Sequence, residues 1–150
     1  MSSQVSSMTD NYIFVMECAI KRFRQLVQLK LHAHHTGITV DQWIILRQVF
    51  LKNASSQVEI AAATAKDAPT TTRIIEQLLS KKLIDKSLDK EDRRKYRVFI
   101  TEKGSKMVQA IQPEVDAISE AGLNGQESYP VGHLHNILLG ILEAFDNAPR

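Results

Sequence analysis

Apolar positions recur at helical spacing along six stretches of the chain, and between the fourth and fifth stretches the pattern changes to that of strands. From Asp10 to about His34, Ile13, Met16, Ile20, Phe23, Val27 and Leu31 mark one side of a long helix. Its first half, Tyr12 to Ile20, is apolar almost all round except for Glu17. A helix apolar on more than one face needs more than one partner, and in a chain this small the second partner is expected to be another subunit. Residues 35–38 break the helix, and Thr39 or Asp41 starts a second one reaching about Leu51, with Trp43, Leu46, Val49 and Phe50 on its core face. Residues 1–9, rich in Ser, read as a mobile tail.

The third helix, Ser55 to Ala65, is short, with a Ser cap, Glu59 a few residues on, and small apolar residues that let a neighbouring helix cross closely. A short connection leads to the fourth helix, Asp67 to Lys81, where Asp67 or its neighbour can cap and Pro69 suits the first turn because its missing N–H costs nothing there. Ile74, Ile75, Leu78 and Leu79 mark its buried face. The opposite side of its first turn is expected to carry Thr70, Thr71, Thr72 and Arg73. Three threonines are poor helix formers, because β-branching restricts χ1 and the hydroxyl competes for backbone bonds. Their functional reading is a turn in the DNA major groove, against the alternative of hydroxyls that merely supplement the cap. The angled pair formed by the third and fourth helices reads as a helix-turn-helix.

Leu83 to Leu88 and Tyr96 to Thr101 then read as two short strands, Val98 and Ile100 sharing a face, around the charged loop Asp89 to Lys95. Together they make a two-stranded wing. A fifth helix follows from Thr101 or Glu102 to about Ala121, with Pro113 inside it, where loss of the bond to the Gln109 carbonyl predicts a kink or a split. After a polar turn, Gly122 to Gln126, a last helix ends near Ala144 to Asn147 and carries the apolar stripe Leu134, Ile137, Leu138, Ile141, Leu142 and Phe145. No internal repeat or low-complexity segment interrupts this order.

The run Thr72-Arg73, Leu83-Ile84, Asp92-Arg93-Arg94, and Val98 to Thr101-Glu102-Lys103-Gly104 closely resembles the winged-helix core of the MarR family of bacterial transcription regulators. The joint spacing over some fifty residues is more specific than any single element, and the flanking helices extend the resemblance by pattern to most of the chain. It implies a mainly α fold with a small wing, in which a winged helix-turn-helix at about 39–104 is joined to a dimerisation layer of about 10–34 and 105–147. It also implies a symmetric dimer with two wings. The family usually has Gly where this chain has Lys82, at the end of the fourth helix; a left-handed Lys there would be strained by roughly 1 kcal/mol.

Length and composition agree with one domain: 150 residues, 43% of them hydrophobic, supply an ample core. The net charge of +2 becomes informative only when divided along the chain. Residues 66–106 hold twelve Lys/Arg against seven Asp/Glu, whereas the remainder holds seven against ten, so positive charge is concentrated on the reading head. A single Cys excludes an intramolecular disulfide. No signal-peptide pattern or membrane-length apolar run is evident, and the expected location is cytoplasmic, without a membrane partner.

Signatures of catalysis are missing: there is no Gly-rich phosphate loop, no G-x-S-x-G and no H-E-x-x-H, so neither an enzyme nor a cofactor is expected. His32, His34 and His35 could collect a transition metal, with His32 and His35 sharing a helix face, yet His near a helix C-terminus is favoured by the dipole alone and no metal site is assigned. Cys18 lies in the apolar half of the first helix, where the bland reading is an inert core residue. The resemblance implies that some relatives sense oxidants near there, and more often that anionic aromatic effectors are held between the dimer layer and the reading head. Phe23, His32, His35, Trp43 and Arg47 are the candidate lining.

The resulting expectation is a homodimeric repressor of a roughly palindromic operator in double-stranded DNA, released by a small anionic or aromatic effector that shifts the spacing of the two heads. Residues 69–81 would enter the major groove and Asp89–Lys95 the minor groove or its edge. The DNA-facing set is Ser56, Gln57, Thr70, Thr71, Thr72, Arg73, Gln77, Asp92, Arg93, Arg94 and Lys95, with Asp92 accepting from the Arg94 guanidinium to orient it. The alternatives are a winged helix that docks protein instead of DNA, and an oxidant- or metal-sensing variant of the same regulator.

Overall fold

Four helices start on a side chain that accepts a backbone N–H, so the polar residue before each apolar run sets where the run begins. The computed structural model describes residues 11–149; the expected mobile tail, residues 1–9, lies outside them. Asn11 caps α1 (Tyr12–Ala33), and Thr39 with Gln42 forms a capping box on α2 (Val40–Leu51). Ser56 with Glu59 does the same for α3 (Gln57–Ala63), and Asp67 caps α4 (Ala68–Ser80). The remaining elements are β1 (Ser55–Ser56), β2 (Ile84–Leu88), β3 (Tyr96–Ile100), α5 (Glu102–Ala121) and α6 (Val131–Asp146).

Three of these helices end alike, each on a non-glycine residue in the left-handed region: His35 at φ 51°, Ala65 at φ 50° and Lys82 at φ 58°. In each case the following N–H reaches back across it, from Thr36 to the Leu31 carbonyl, Lys66 to Ala61 and Leu83 to Leu78, at 3.2, 3.0 and 3.1 Å. This Schellman closure satisfies carbonyls that would otherwise be orphaned, at the cost of a crowded Cβ. Lys82 therefore takes the conformation that a glycine would favour.

The chain forms two compact units, which divide after Ile118. In the first, Val27 and Leu31 of α1, Trp43, Ile45, Leu46 and Val49 of α2, Ile60 of α3, and Ile74, Ile75 and Leu78 of α4 make one buried cluster with Leu83, Ile84, Val98, Val108, Ile111 and Val115. Burying each large side chain contributes about 1.5–3 kcal/mol relative to exposure. Of the expected α1 stripe only Val27 and Leu31 are buried; Phe23 is half-buried, and Ile20 is 57% exposed.

The wing has one strand more than expected. β1 pairs antiparallel with β3, Ser55 opposite Val98 and Ser56 opposite Arg97, giving the order β1-β3-β2. Two residues carry no readable alternation, and both serines read as helix-capping residues, so the third strand had no signal in the sequence. α5 runs on through Pro113 and is not split. Pro113 is exposed, while Ile111 and Val115 on either side are buried and hold the turns in place.

The Thr-Glu-Lys-Gly run at the start of α5 has a packing reason. The Thr101 hydroxyl accepts the Gly104 N–H at 3.0 Å and donates to the Lys82 and Leu83 carbonyls, both at 2.9 Å. A Cβ on Gly104 would lie 2.1 Å from the Leu83 carbonyl oxygen. Only glycine lets α5 approach the end of α4 so closely.

In the second unit every described residue of α6 but Ile141 is exposed, including Leu134, Ile137, Leu138, Leu142 and Phe145. Within the first unit, Tyr12, Phe14, Val15, Ile20, Leu26 and Leu29 of α1 are likewise exposed. Both are unsatisfied apolar surfaces of a kind that marks interaction sites.

Candidate nucleic-acid interface

α4 is strongly two-sided. Asp67 accepts the Thr70 N–H at 2.7 Å and the Thr70 hydroxyl at 2.9 Å, which neutralises part of the first turn's demand for acceptors and keeps the carboxyl below its usual pKa. The Thr71 hydroxyl donates to the Asp67 carbonyl at 2.8 Å, and that of Thr72 to the Ala68 carbonyl at 3.0 Å. These back-bonds explain how three threonines are accommodated in one turn.

The threonines do not all share the outer side. Thr71 is only 1% exposed, on the same face as Ile74, Ile75 and Leu78, so its place in the DNA-facing set is corrected. It sits three residues before Ile74, which is helical spacing toward the core. Gln77 is also turned inward, its side-chain oxygen accepting from Gln42 at 2.8 Å. The exposed side of α4 is Pro69, Thr72, Arg73 and Glu76, with Thr70 half-buried at its edge. On α3, Gln57 is half-buried, and the Ser56 hydroxyl is engaged in the cap with the Glu59 N–H at 3.2 Å.

The wing loop is built on acids rather than on hairpin glycines. Asp89 is almost buried, and its carboxylate accepts the N–H groups of Glu91 and Asp92 at 2.7 and 3.1 Å and the Arg97 Nε at 2.5 Å. Arg97 first, and then the two N–H groups, pull its pKa down to about 2. Sequence reading missed both Asp89 and Arg97, since each was one charge among many. The only available signal was that Arg97 stands one residue before a buried strand position.

Asp92 is placed differently from the expectation. Its Oδ1 accepts the backbone N–H of Arg94 at 3.0 Å, not the guanidinium, so it shapes the turn under Arg94. Arg93, Arg94 and Lys95 are exposed at the tip. Lys86 of β2 reaches Glu76 of α4 at 3.1 Å, which ties the wing to the outer side of the helix.

Arginine partners sort the surface. Away from this head, Arg22, Arg24 and Arg47 each bond a side chain: Gln25, Asp41 and Gln112 respectively. Among the described residues, Arg73, Arg93 and Arg94 have no hydrogen bond or ion pair from their side chains. Among the described residues, the guanidinia without a hydrogen bond or ion pair are thus confined to α4 and the wing tip.

None of the residues expected to line an effector site borders the cleft beside α1. Trp43 is in the core at 2% exposure, and Phe23 packs against that core. His32 is exposed, and His35 lies beyond the end of α1 in the left-handed position, so the two do not share a helix face. His34 instead meets Glu114, which Lys30 also pairs at 2.9 Å; these partners, Lys30 first, lower the Glu114 pKa. The described residues hold no cluster of three or more His, Cys, Asp or Glu suited to a metal ion. Cys18 is exposed, not in the core. The cleft beside α1, of about 350 Å³, is lined by Lys21, Arg24, Gln25, Gln28, Thr39, Val40 and Asp41. No described helix is long and apolar enough to cross a membrane.

Comparison with known proteins places this geometry. The MarR family profile matches residues 38–96, from the loop before α2 to the first residue of β3. The chain is 32% identical over 114 residues to the HTH-type transcriptional repressor NicR of Pseudomonas putida, covering 74% of this chain and 70% of the relative. Among solved structures it is similar to Bordetella bronchiseptica BpsR, whose DNA binding is regulated by 6-hydroxynicotinic acid, with a TM-score of 0.76, 25% identity, and 95% and 98% of the two chains covered. It also shares its fold with S. aureus MepR in complex with DNA, at a TM-score of 0.74 and 20% identity, over 92% of this chain and 98% of the other. With a relative this similar over most of both chains, and the same winged-helix head, this chain belongs to the MarR family of transcription regulators.

Proposed function

We propose that the protein is a homodimeric repressor that holds α4 in the major groove and lays the Asp89–Lys95 loop along the minor groove, acting in the cytoplasm and without catalytic activity. The observation that carries this reading is that, among the described residues, the guanidinia without a hydrogen bond or ion pair lie only on the two elements that would meet DNA. Thr72 and Arg73 face the major groove, with Thr70 at its edge and Ser56 and Gln57 near the backbone. Arg93, Arg94 and Lys95 supply the wing. The exposed apolar faces of α1 and α6 support a dimer, since a subunit is the usual cover for such surfaces. A protein-docking winged helix would need an apolar α4 face; Thr72, Arg73 and Glu76 make it polar.

Effector release is part of the same reading. The cleft beside α1 presents Lys21 and Arg24, which suits a small aromatic acid. Arg24 pairs with Asp41 at 3.0 Å, and Asp41 also holds Lys66 of the helix-turn-helix turn at 2.6 Å. An anion competing for Arg24 would act on a residue that touches the reading head.

Selection of duplexes from a random library, followed by gel shift of the enriched sequence, tests the function. Retention that weakens steeply with salt, and release on adding 6-hydroxynicotinic acid as the first probe, is the expected result. Failure to enrich any sequence would refute the DNA-binding reading.

A further inference from the structure

The cations of the wing stand on the loop Lys90–Lys95, closed at its base by the Asp89 N–H to the Lys95 carbonyl at 2.9 Å. Exposed loop tips are where order is ordinarily lost. Here one guanidinium joins the loop to the helix-turn-helix. From β3, Arg97 donates Nε to Asp89 at 2.5 Å, and Nη1 to Glu59 at 3.0 Å and to the Ala54 carbonyl at 3.3 Å.

Both carboxylates it grips are themselves structural. Asp89 holds the first turn of the wing loop through the N–H groups of Glu91 and Asp92. Glu59 accepts the Ser56 N–H at 2.7 Å in the capping box that opens α3. Arg97 thus spans from the start of the wing loop to the start of α3, with its Nε and Nη1 committed to that span. A lysine could not span both acids, because its ammonium is a point donor whereas the guanidinium is a planar fork.

We infer that Arg97 is a positioning residue for minor-groove recognition, fixing the wing tip and with it Arg94 relative to the helix pair in the major groove. This rests on the DNA-binding reading above. A tip fixed in advance meets the groove without being ordered at each encounter, which is where its effect on affinity arises. Arg97 acts through Arg94, so its contribution disappears when Arg94 is absent.

Two readouts test it. Without DNA, trypsin cleaves after Arg93, Arg94 and Lys95, and the initial rate of cleavage in the native protein reports loop order. Arg97→Met, which keeps the aliphatic stem, and Asp89→Asn, which keeps the shape, should each raise that rate about tenfold while thermal unfolding remains cooperative. With the duplex selected by the wild-type protein, Arg97→Met should weaken binding about tenfold in the wild-type background and less than about twofold beside Arg94→Ala. Arg97→Lys, with its charge kept, should bind like Arg97→Met. Equal losses in both backgrounds, or full rescue by Arg97→Lys, would overturn the inference, as would an unchanged cleavage rate in both folded variants. A wild-type protein that selects no duplex refutes the DNA reading instead, and the cleavage rates then still decide whether Arg97 orders the loop.

Discussion

The Asp92 carboxylate accepts the backbone N–H of Arg94 at 3.0 Å and leaves the Arg94 guanidinium free. The acid therefore sets the turn on which the cation stands. Arg94→Ala should cost roughly 1–3 kcal/mol of DNA affinity and reduce the salt slope by about 1. Asp92→Ala removes a negative charge near DNA, which on bulk charge alone would tighten binding. Weaker binding is expected instead, because the turn must be ordered at each encounter at roughly 0.5–1.5 kcal/mol. Anisotropy titrations at two salt concentrations check both variants; tighter binding by Asp92→Ala would show that the turn needs no such support.

Lys82 sits at φ 58° with its side chain exposed, and its carbonyl accepts from Thr101. Lys82→Gly keeps that bond and removes the crowded Cβ, so it should stabilise the protein by roughly 1 kcal/mol in thermal unfolding. Ala65→Gly, at φ 50°, should act in the same direction. A lower melting temperature for both would mean that these helix ends are not strained.

Gly104 offers the opposite case. An added methyl would meet the Leu83 carbonyl oxygen at 2.1 Å and Ile100 Cδ1 at 2.8 Å, so α5 would have to move. Gly104→Ala should destabilise by roughly 1–3 kcal/mol or more, measured by denaturant unfolding. A neutral outcome would contradict the close approach of α5 to the end of α4.

Acid should weaken the base of the wing loop. The folded pKa of Asp89 is about 2, below the roughly 3.9 of an unfolded Asp. Its stabilising effect is therefore complete above about pH 4 and is lost as pH falls toward 2. Asp41, Asp67, Glu59 and Glu114 are shifted in the same direction. Unfolding curves between pH 5 and 2 should fall less steeply for Asp89→Asn than for the wild-type protein.

How much of this could be read beforehand depended on whether a residue belonged to a period or to a contact. Helix limits were readable because caps and apolar runs are local: Thr39, Ser56 and Asp67 each mark a start within a residue or two. The wing hairpin was readable from Val98 and Ile100, but β1 was not, since Ser55 and Ser56 gain their pairing only from β3. At the site, Arg73, Arg93 and Arg94 stood out by motif and are exposed. Thr71 and Gln77 were misplaced because helical phase near the first turn and the reach of a long amide are decided by the neighbour across the interface, Gln42 in the latter case. Arg97 and Asp89 were invisible for the same reason: their partners lie 8 and 38 positions apart in sequence along one guanidinium.

Hydroxyl-radical footprinting on the selected duplex examines the dimer and its two reading heads together. Two protected half-sites related by symmetry are expected, their centres about one helical turn or roughly 34 Å apart, with added protection of the minor groove at each flank that Arg94→Ala removes. A single short asymmetric footprint, or flanking protection unchanged in Arg94→Ala, would contradict a symmetric dimer that reads DNA through α4 and its wing.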